Sequence, residues 1–397
     1  MRVLMINTVC GIGSTGRICT DLAAALEKQG HEVKIAYGRE RVPESARRWA
    51  VRIGTDTDVR LHGAYARLND AAGLGSRRAT ERFLDWVRDY DPDIIHLHNL
   101  HGYYLHIGIL FDYLKSCGKP VFWTLHDSWP FTGHGAQCEA PQCGKWRTGC
   151  DSCAQIAQYP RSLTDHAARN WRFKRACFTG VERLMLITPS QWLAGRVRDS
   201  FLRDYPAAVI PNGIDTAVFR PFPENPERFA ERPFTVLGVA SVWSETKGLD
   251  DLLRLRELMP REWSMVLVGL SERQLAALPE GVRGIARTHS PQQLRELYAA
   301  ADVFVNPTTE DTYPTTNLEA IACGTPVVTY PTGGSPESAR LFGAVTDDCT
   351  PEALLRAIQQ LGTPERHAFD FSKETFAGRV LELYARASEP EHREAVL

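Results

Sequence analysis

Short apolar runs alternate with longer helical stretches along the whole of this 397-residue chain, and few folds satisfy that constraint. Arg2–Asn7, His31–Tyr37, Asp93–His98, Lys119–Asp127 and Arg183–Ser190 read as strands, followed by a strand and turn over Val209–Asp215. After Phe219–Pro233, the densest proline punctuation in the chain, the pattern restarts with Phe234–Ala240, Trp263–Gly269, Val282–Ala286, Val303–Val305 and Val327–Tyr330. Strands joined by helices in this way build parallel sheets, so the expected class is α/β. The length suits two domains, with the crossover expected just before Val209. Residues 41–90 are rich in arginine and read as surface helices, one of them amphipathic from Arg77 to Tyr90.

Charge narrows the function classes. The chain carries 46 basic and 48 acidic residues, so no overall field favours nucleic acid, although local basic patches stay open. No apolar run reaches bilayer length, and Met1–Asn7 reads as a strand rather than a signal peptide, which makes the cytoplasm the expected compartment. Arg169, Arg172, Lys174 and Arg175 surround Trp171 and Phe173, as in a helix that touches a membrane surface or a lipid-diphosphate acceptor, or in an ordinary solvated helix. Six cysteines are scattered as expected for buried thiols. The other four, Cys138, Cys143, Cys150 and Cys153, have the spacing C-x4-C-x6-C-x2-C within a loop over residues 129–160. That density suits a structural zinc ion or paired disulfides; four sulfurs would leave no open position for metal catalysis.

Asp302–Tyr330 reads as strand, loop, helix, strand, with Thr316 as helix N-cap and Gly324 as the stop. A helix N-terminus at a sheet edge favours an anion such as phosphate, and Asp311 and Glu319 are placed to hold the hydroxyls of one ligand. The competing assignment is a capping box, Thr316-x-x-Glu319, serving only the helix. Lys247, in the loop after the Phe234 strand, is either a cation for a diphosphate or an exposed lysine. Gly11-Ile-Gly13-Ser-Thr-Gly16 matches G-x-G-x-x-G, the mark of a dinucleotide oxidoreductase. Three residues separate it from the strand, however, and Tyr37-Gly38-Arg39 offers no acid to a ribose. A wide loop that lets a ligand approach the backbone fits better, beside the plain reading of a turn. His126 ends a strand where open α/β sheets bind ligands, unless it is a core histidine; His96 and His98 form a His-x-His pair suited to metal or to the core.

Read together, the Gly11–Gly16 loop, Thr124-Leu-His-Asp127, Thr188-Pro-Ser-Gln-Trp192, Ile210-Pro-Asn-Gly-Ile-Asp215, Lys247-Gly248 and the run Glu319–Val328 resemble retaining glycosyltransferases of family 4 over nearly the whole chain. The cysteine loop and Pro314-Thr-Thr-Asn-Leu-Glu319 resemble the colanic-acid and exopolysaccharide subgroup. The resemblance implies the GT-B architecture of two facing Rossmann-like domains with parallel sheets. Residues 1–208 would form the acceptor side and 209–368 the nucleotide-sugar side. A helix within 369–397 would cross back to the N-terminal domain, closure swinging about residues near 208 and 368. It also implies metal-independent, hexosyltransferase-type transfer with retention, from a nucleoside-diphosphate sugar to a saccharide or lipid-linked acceptor, at the inner face of a membrane and without nucleic acid.

Roles carry over by position. Asp311 would hold the donor sugar and Glu319 the ribose. Lys247 would hold the pyrophosphate, with Thr315, Thr316 and the backbone of Asn317 and Leu318. His126 would lie near the transferred sugar, and the Gly13 amide near the phosphate. The chain departs from the family in two places: Asp311 is one methylene shorter than the usual Glu, with Glu310 beside it, and Val242 stands where a basic residue is usual. Two other classes compete, a nucleotide-cofactor oxidoreductase and a non-catalytic nucleotide-sugar binding protein.

Overall fold

The computed structural model describes residues 1–138, 142–221 and 233–388; Pro223 and Pro226 of the proline-rich stretch and residues 389–397 lie outside them. The chain divides into two compact units, Met1–Pro211 with Glu374–Leu397, and Asn212–Lys373. The crossovers thus fall three and five residues beyond the positions read from the sequence.

In the first unit the chain runs β1 (Arg2–Asn7), α1 (Gly13–Lys28), β2 (Glu32–Tyr37), β3 (Ala50–Arg52), α2 (Asp56–Asn69), α3 (Arg77–Tyr90) and β4 (Ile94–Leu97). It continues through α4 (Ile107–Ser116), β5 (Val121–Thr124), α5 (Ala167–Phe178), β6 (Leu184–Thr188), α6 (Gln191–Asp199) and β7 (Ala207–Val209). The strands form one parallel sheet in the order β3-β2-β1-β4-β5-β6-β7. Central strands such as β4 and β5 are buried along their whole length, because helices cover both faces.

The second unit runs β8 (Thr235–Val239), α7 (Leu249–Leu258), β9 (Ser264–Val268), α8 (Glu272–Ala276), β10 (Val282–Ile285), α9 (Pro291–Ala300) and β11 (Val303–Asn306). Then come α10 (Thr315–Ala322), β12 (Val327–Thr329), α11 (Ser335–Ala339), β13 (Gly343–Val345) and α12 (Pro351–Gln360). Its parallel sheet has the order β10-β9-β8-β11-β12-β13. The last helix, α13 (Lys373–Ser388), returns to the first unit, where Phe376, Ala377, Val380 and Tyr384 pack with Val3, Met5, Ile35 and Phe122. Tyr384 Oη also lies 2.5 Å from His96 Nδ1.

Several elements differ from the sequence reading. Residues 41–90 are not all surface helix: β3 adds a three-residue edge strand on β2, too short for its alternation to show, and α3 buries Phe83, Leu84 and Val87. Helix α1 begins at Gly13 rather than near Arg17, so Gly16 lies in its first turns, where a Cβ would stand 3.1 Å from the Gly11 amide nitrogen. Helix α5 is solvated on one face only, with Arg169, Arg172 and Arg175 exposed, and is buried on the other. Trp171 is buried, and Lys174 is fully enclosed, its Nζ donating to the carbonyls of Trp129 (2.7 Å) and Thr132 (3.0 Å) and standing 3.5 Å from the Trp129 ring. Burial pushes that ammonium down to about 7. Among the described residues no helix is long and apolar enough to cross a membrane.

Candidate active site

In an open parallel sheet, ligands bind outside the carboxyl ends of the strands where the strand order reverses, because neighbouring loops diverge there. In the second unit that point lies between β8 and β11. The loop after β8 carries Lys247 and the loop after β11 carries Asp311; Lys247 Nζ donates to Asp311 Oδ2 at 2.6 Å. Lys247 is therefore not an idle surface lysine.

The backbone locks this pair in place. Thr309 N–H and Thr308 Oγ1 both donate to the Thr246 carbonyl, at 2.9 and 3.2 Å. Gly248 has φ +73°, and a Cβ there would stand 2.4 Å from the Pro307 carbonyl, so only glycine lets the two loops close on each other. On the other flank Gly334 N–H donates to the Asp311 carbonyl at 2.9 Å, and Tyr313 N–H to Asp311 Oδ1 at 3.2 Å. Glu310, the alternative sugar contact, is buried.

Helix α10 starts at Thr315 with Pro314 at the N-cap position and no side-chain cap. Thr316 is not the N-cap, and the expected capping box does not form. Glu319 lies two residues too deep in the helix to reach back; instead its Oε2 accepts from the buried Tyr298 Oη on α9 at 3.1 Å. The amides of Thr315 and Thr316 have no carbonyl within the helix to bond, which leaves them for an anion. Asn317 and Leu318 are placed differently. Asn317 is fully buried, its Nδ2 donating to Ser335 Oγ and Ser338 Oγ at 3.0 and 2.9 Å and its Oδ1 accepting from Asn306 Nδ2 at 2.8 Å. Its amide already donates to the Pro314 carbonyl at 3.2 Å, and Leu318 is a core side chain.

In the first unit the order reverses between β1 and β4. The glycine loop follows β1, and Gly13, with φ +63°, has open space where a Cβ would project. After β4 and β5 come three imidazoles and a carboxylate. His98 Nδ1 lies 3.0 Å from His126 Nε2, and His101 pairs through Nε2 with Asp127 Oδ2 at 2.7 Å and through Nδ1 with Tyr159 Oη at 2.9 Å. Burial pushes His126 down to about 4 and His98 well below its ordinary value, so both are neutral near neutral pH. His96, the other member of the His-x-His pair, is held by Tyr384 and by Thr124 Oγ1 at 2.7 Å. His101, Tyr159 and Tyr298 had no spacing signal in the sequence; only the fold brings them to these partners.

The four clustered cysteines and His134 line one cavity of about 320 Å³. Gly133 N–H donates to Cys150 Sγ at 3.2 Å; His134 Nδ1 lies 2.5 Å from Asp70 Oδ1, while its buried Nε2 has no partner. Among the described residues no cysteine is joined in a disulfide, and no three His, Cys, Asp or Glu side chains are grouped closely enough to hold an ion as they stand.

Comparison with known proteins agrees with this geometry. The profile of Glycosyltransferase Family 4 matches residues 15–218, and that of Glycosyl transferases group 1 matches residues 233–363. The chain belongs to glycosyltransferase family 4. It is 24% identical over 383 residues to the putative colanic acid biosynthesis glycosyl transferase WcaC of Escherichia coli K12, covering 92% of this chain and 91% of that one. It is 31% identical over 303 residues to the alpha-maltose-1-phosphate synthase of Mycolicibacterium smegmatis, covering 61% and 78%. Among solved structures, sucrose-phosphate synthase from Thermosynechococcus elongatus superposes with a TM-score of 0.70 at 16% identity, over 97% and 98% of the two chains. Anabaena Alr3699/HepE, solved with UDP-glucose, superposes with a TM-score of 0.65 at 16% identity, over 97% and 99%. The fold of this family 4 member is GT-B, and the protein is a glycosyltransferase.

Proposed function

We propose that this glycosyltransferase moves a sugar, with retention at the anomeric carbon, from a nucleoside-diphosphate sugar to a hydroxyl of a saccharide or lipid-linked saccharide in polysaccharide biosynthesis. The observation that carries the reading is the Lys247–Asp311 pair at the strand-order reversal of the second unit, beside the open end of α10. The relatives support it: WcaC is named for colanic acid biosynthesis, and Alr3699/HepE was solved with UDP-glucose.

In this reading the diphosphate takes the Lys247 ammonium together with the amides and hydroxyls of Thr315 and Thr316, charge-assisted donors that need no metal ion. Asp311, released from Lys247, accepts from the donor-sugar hydroxyls. Glu319, oriented by Tyr298, accepts from the ribose. In the first unit neutral His126, set by His98, and the Gly13 amide keep the roles that the family resemblance gives them. The bond from the anomeric carbon to the phosphate oxygen breaks as the acceptor oxygen arrives on the same face, and the acceptor proton passes to the departing diphosphate.

A thermal-shift screen of nucleotide sugars, followed by calorimetry, tests this. Lys247→Ala and Glu319→Ala should each weaken donor binding about tenfold or more in a folded protein. Unchanged affinity would remove the assigned role, and donor binding without diphosphate release on any acceptor extract would favour a non-catalytic binding protein.

We also propose that Cys138, Cys143, Cys150 and Cys153, which line one cavity with His134, would hold a structural zinc ion. The Asp70–His134 pair beside them is the carboxylate–histidine arrangement that commonly supports metal sites. Elemental analysis of protein purified without added zinc should find about one metal ion per chain. Folded protein without metal would overturn this assignment and leave the transferase reading intact.

A further inference from the structure

A second concave site lies in the first unit, beyond the carboxyl ends of β2 and β3 and against the start of α2. It is a cavity of about 800 Å³ into which Arg39, Arg41, Arg47, Arg52 and Arg60 all project beside Tyr37. The segment behind it packs on the glycine loop: a Cβ on Gly11 would stand 3.0 Å from Ala46 and 3.2 Å from Pro43. The cavity therefore adjoins the strand-order reversal of its own unit.

Its charge is one-sided in a chain whose net charge is only −2. The lining supplies five guanidinium groups against two carboxylates, Glu40 and Asp56, and a third, Glu44, meets Arg47 from beside the cavity, which leaves an excess of two positive charges. The pairs are uneven. Arg52 meets Asp56 at 2.5 Å and Arg47 meets Glu44 at 2.5 Å, while Arg39 is 3.7 Å from Glu40. Arg41 and Arg60 have no partner among the described residues, and Arg52 Nε is buried without one while its guanidinium lies 5.3 Å from the Tyr37 ring. Like charges gathered in a hollow repel one another; a dianion relieves that repulsion, and guanidinium forks match phosphate oxygens in pairs.

We propose that this cavity seats the phosphate or diphosphate group of the acceptor. The assignment rests on the transferase reading for the word acceptor, but the anion site itself stands on the arginine geometry alone. A single sugar carboxylate would leave one of the two excess charges uncompensated; a phosphate monoester or a diphosphate diester compensates about two.

Calorimetry with inorganic pyrophosphate tests the site in the full chain, comparing wild type, Lys247→Ala and the double variant Arg41→Ala/Arg60→Ala. Both arginines are exposed and unpartnered, so the double variant should fold as wild type does. The expected result is that Lys247→Ala, whose donor site is weakened, still binds pyrophosphate, that adding Arg41→Ala/Arg60→Ala to it weakens that binding about tenfold or more, and that the arginine variant alone keeps its nucleotide-sugar affinity. Pyrophosphate binding that is absent from Lys247→Ala, or that survives there after loss of both arginines, overturns the proposal. Failure of Lys247→Ala to affect nucleotide sugar counts against the donor reading and not against this site. Two further probes identify the source of the anion. Flotation with phosphatidylcholine vesicles containing a polyprenyl diphosphate, dependent on Arg41 and Arg60, supports a lipid-linked acceptor, and arginine-dependent binding of a soluble sugar phosphate without flotation supports a soluble one.

Discussion

Lys247 and Asp311 neutralise each other at 2.6 Å while both remain in reach of solvent, and such a pair contributes at most about 1 kcal/mol. Breaking it is therefore cheap, and under the proposed function a diphosphate with two negative charges would displace the single carboxylate. Glu319 is the opposite case: it is buried and accepts from the Tyr298 hydroxyl. Tyr298→Phe should cost about 1.5–3 kcal/mol in urea unfolding, the scale of a hydrogen bond to a charged group, and should weaken nucleotide binding as well. Unchanged stability and affinity would remove that role. Lys247, Asp311 and Glu319 were legible in the sequence because each belongs to a run with fixed spacing. Tyr298 was not: it lies 21 positions from Glu319, in a helix whose pattern is ordinary. The surroundings of Asn317 were not legible either, since its position in the motif does not reveal that its backbone N–H donates to the Pro314 carbonyl and its side-chain amide to Ser335 and Ser338.

At the scale of elements, the donor-side site depends on loops that cross at short distance. Gly248→Ala adds a Cβ 2.4 Å from the Pro307 carbonyl at a positive φ, a strain of about 1–3 kcal/mol that should pull the Lys247 loop off the Asp311 loop. Donor affinity should fall with the melting temperature; a variant that keeps both would show that the loops tolerate separation. The strands were legible because fully buried parallel strands are continuous apolar runs. What escaped were short or context-bound features: β3 has only three residues, and the start of α1 is set inside the glycine loop. The burial of α5 could not be read either, because its Lys174 finds its carbonyl partners 42 and 45 residues away.

Over the whole molecule, buried imidazoles set the response to acid. Burial pushes His62 and His126 down to about 4 and His96 to about 3, against 6.5 for the free side chain. Between those limits the unfolded chain binds more protons than the folded one, so this contribution is complete above pH 6.5 and is lost as pH falls towards 4. Urea midpoints should decline across that window, and a flat profile would show that these histidines accept protons without unfolding. The division into two units was legible from the restart of the strand pattern, and the crossings lie three and five residues beyond the positions read from the sequence. The returning helix α13 also fixes the order in which the protein can be finished on the ribosome. The second unit is one continuous segment, bridged near its two ends at Ile214 and Ser372, and it can complete its core as soon as it emerges. The first unit emerges earlier but waits, its apolar strip at Val3, Met5 and Phe122 uncovered until Phe376, Val380 and Tyr384 are translated. At 5–20 residues per second the intervening segment takes roughly ten to thirty seconds to synthesise. The half made first is the half completed last, and that interval is when a nascent-chain chaperone has the most exposed surface to hold.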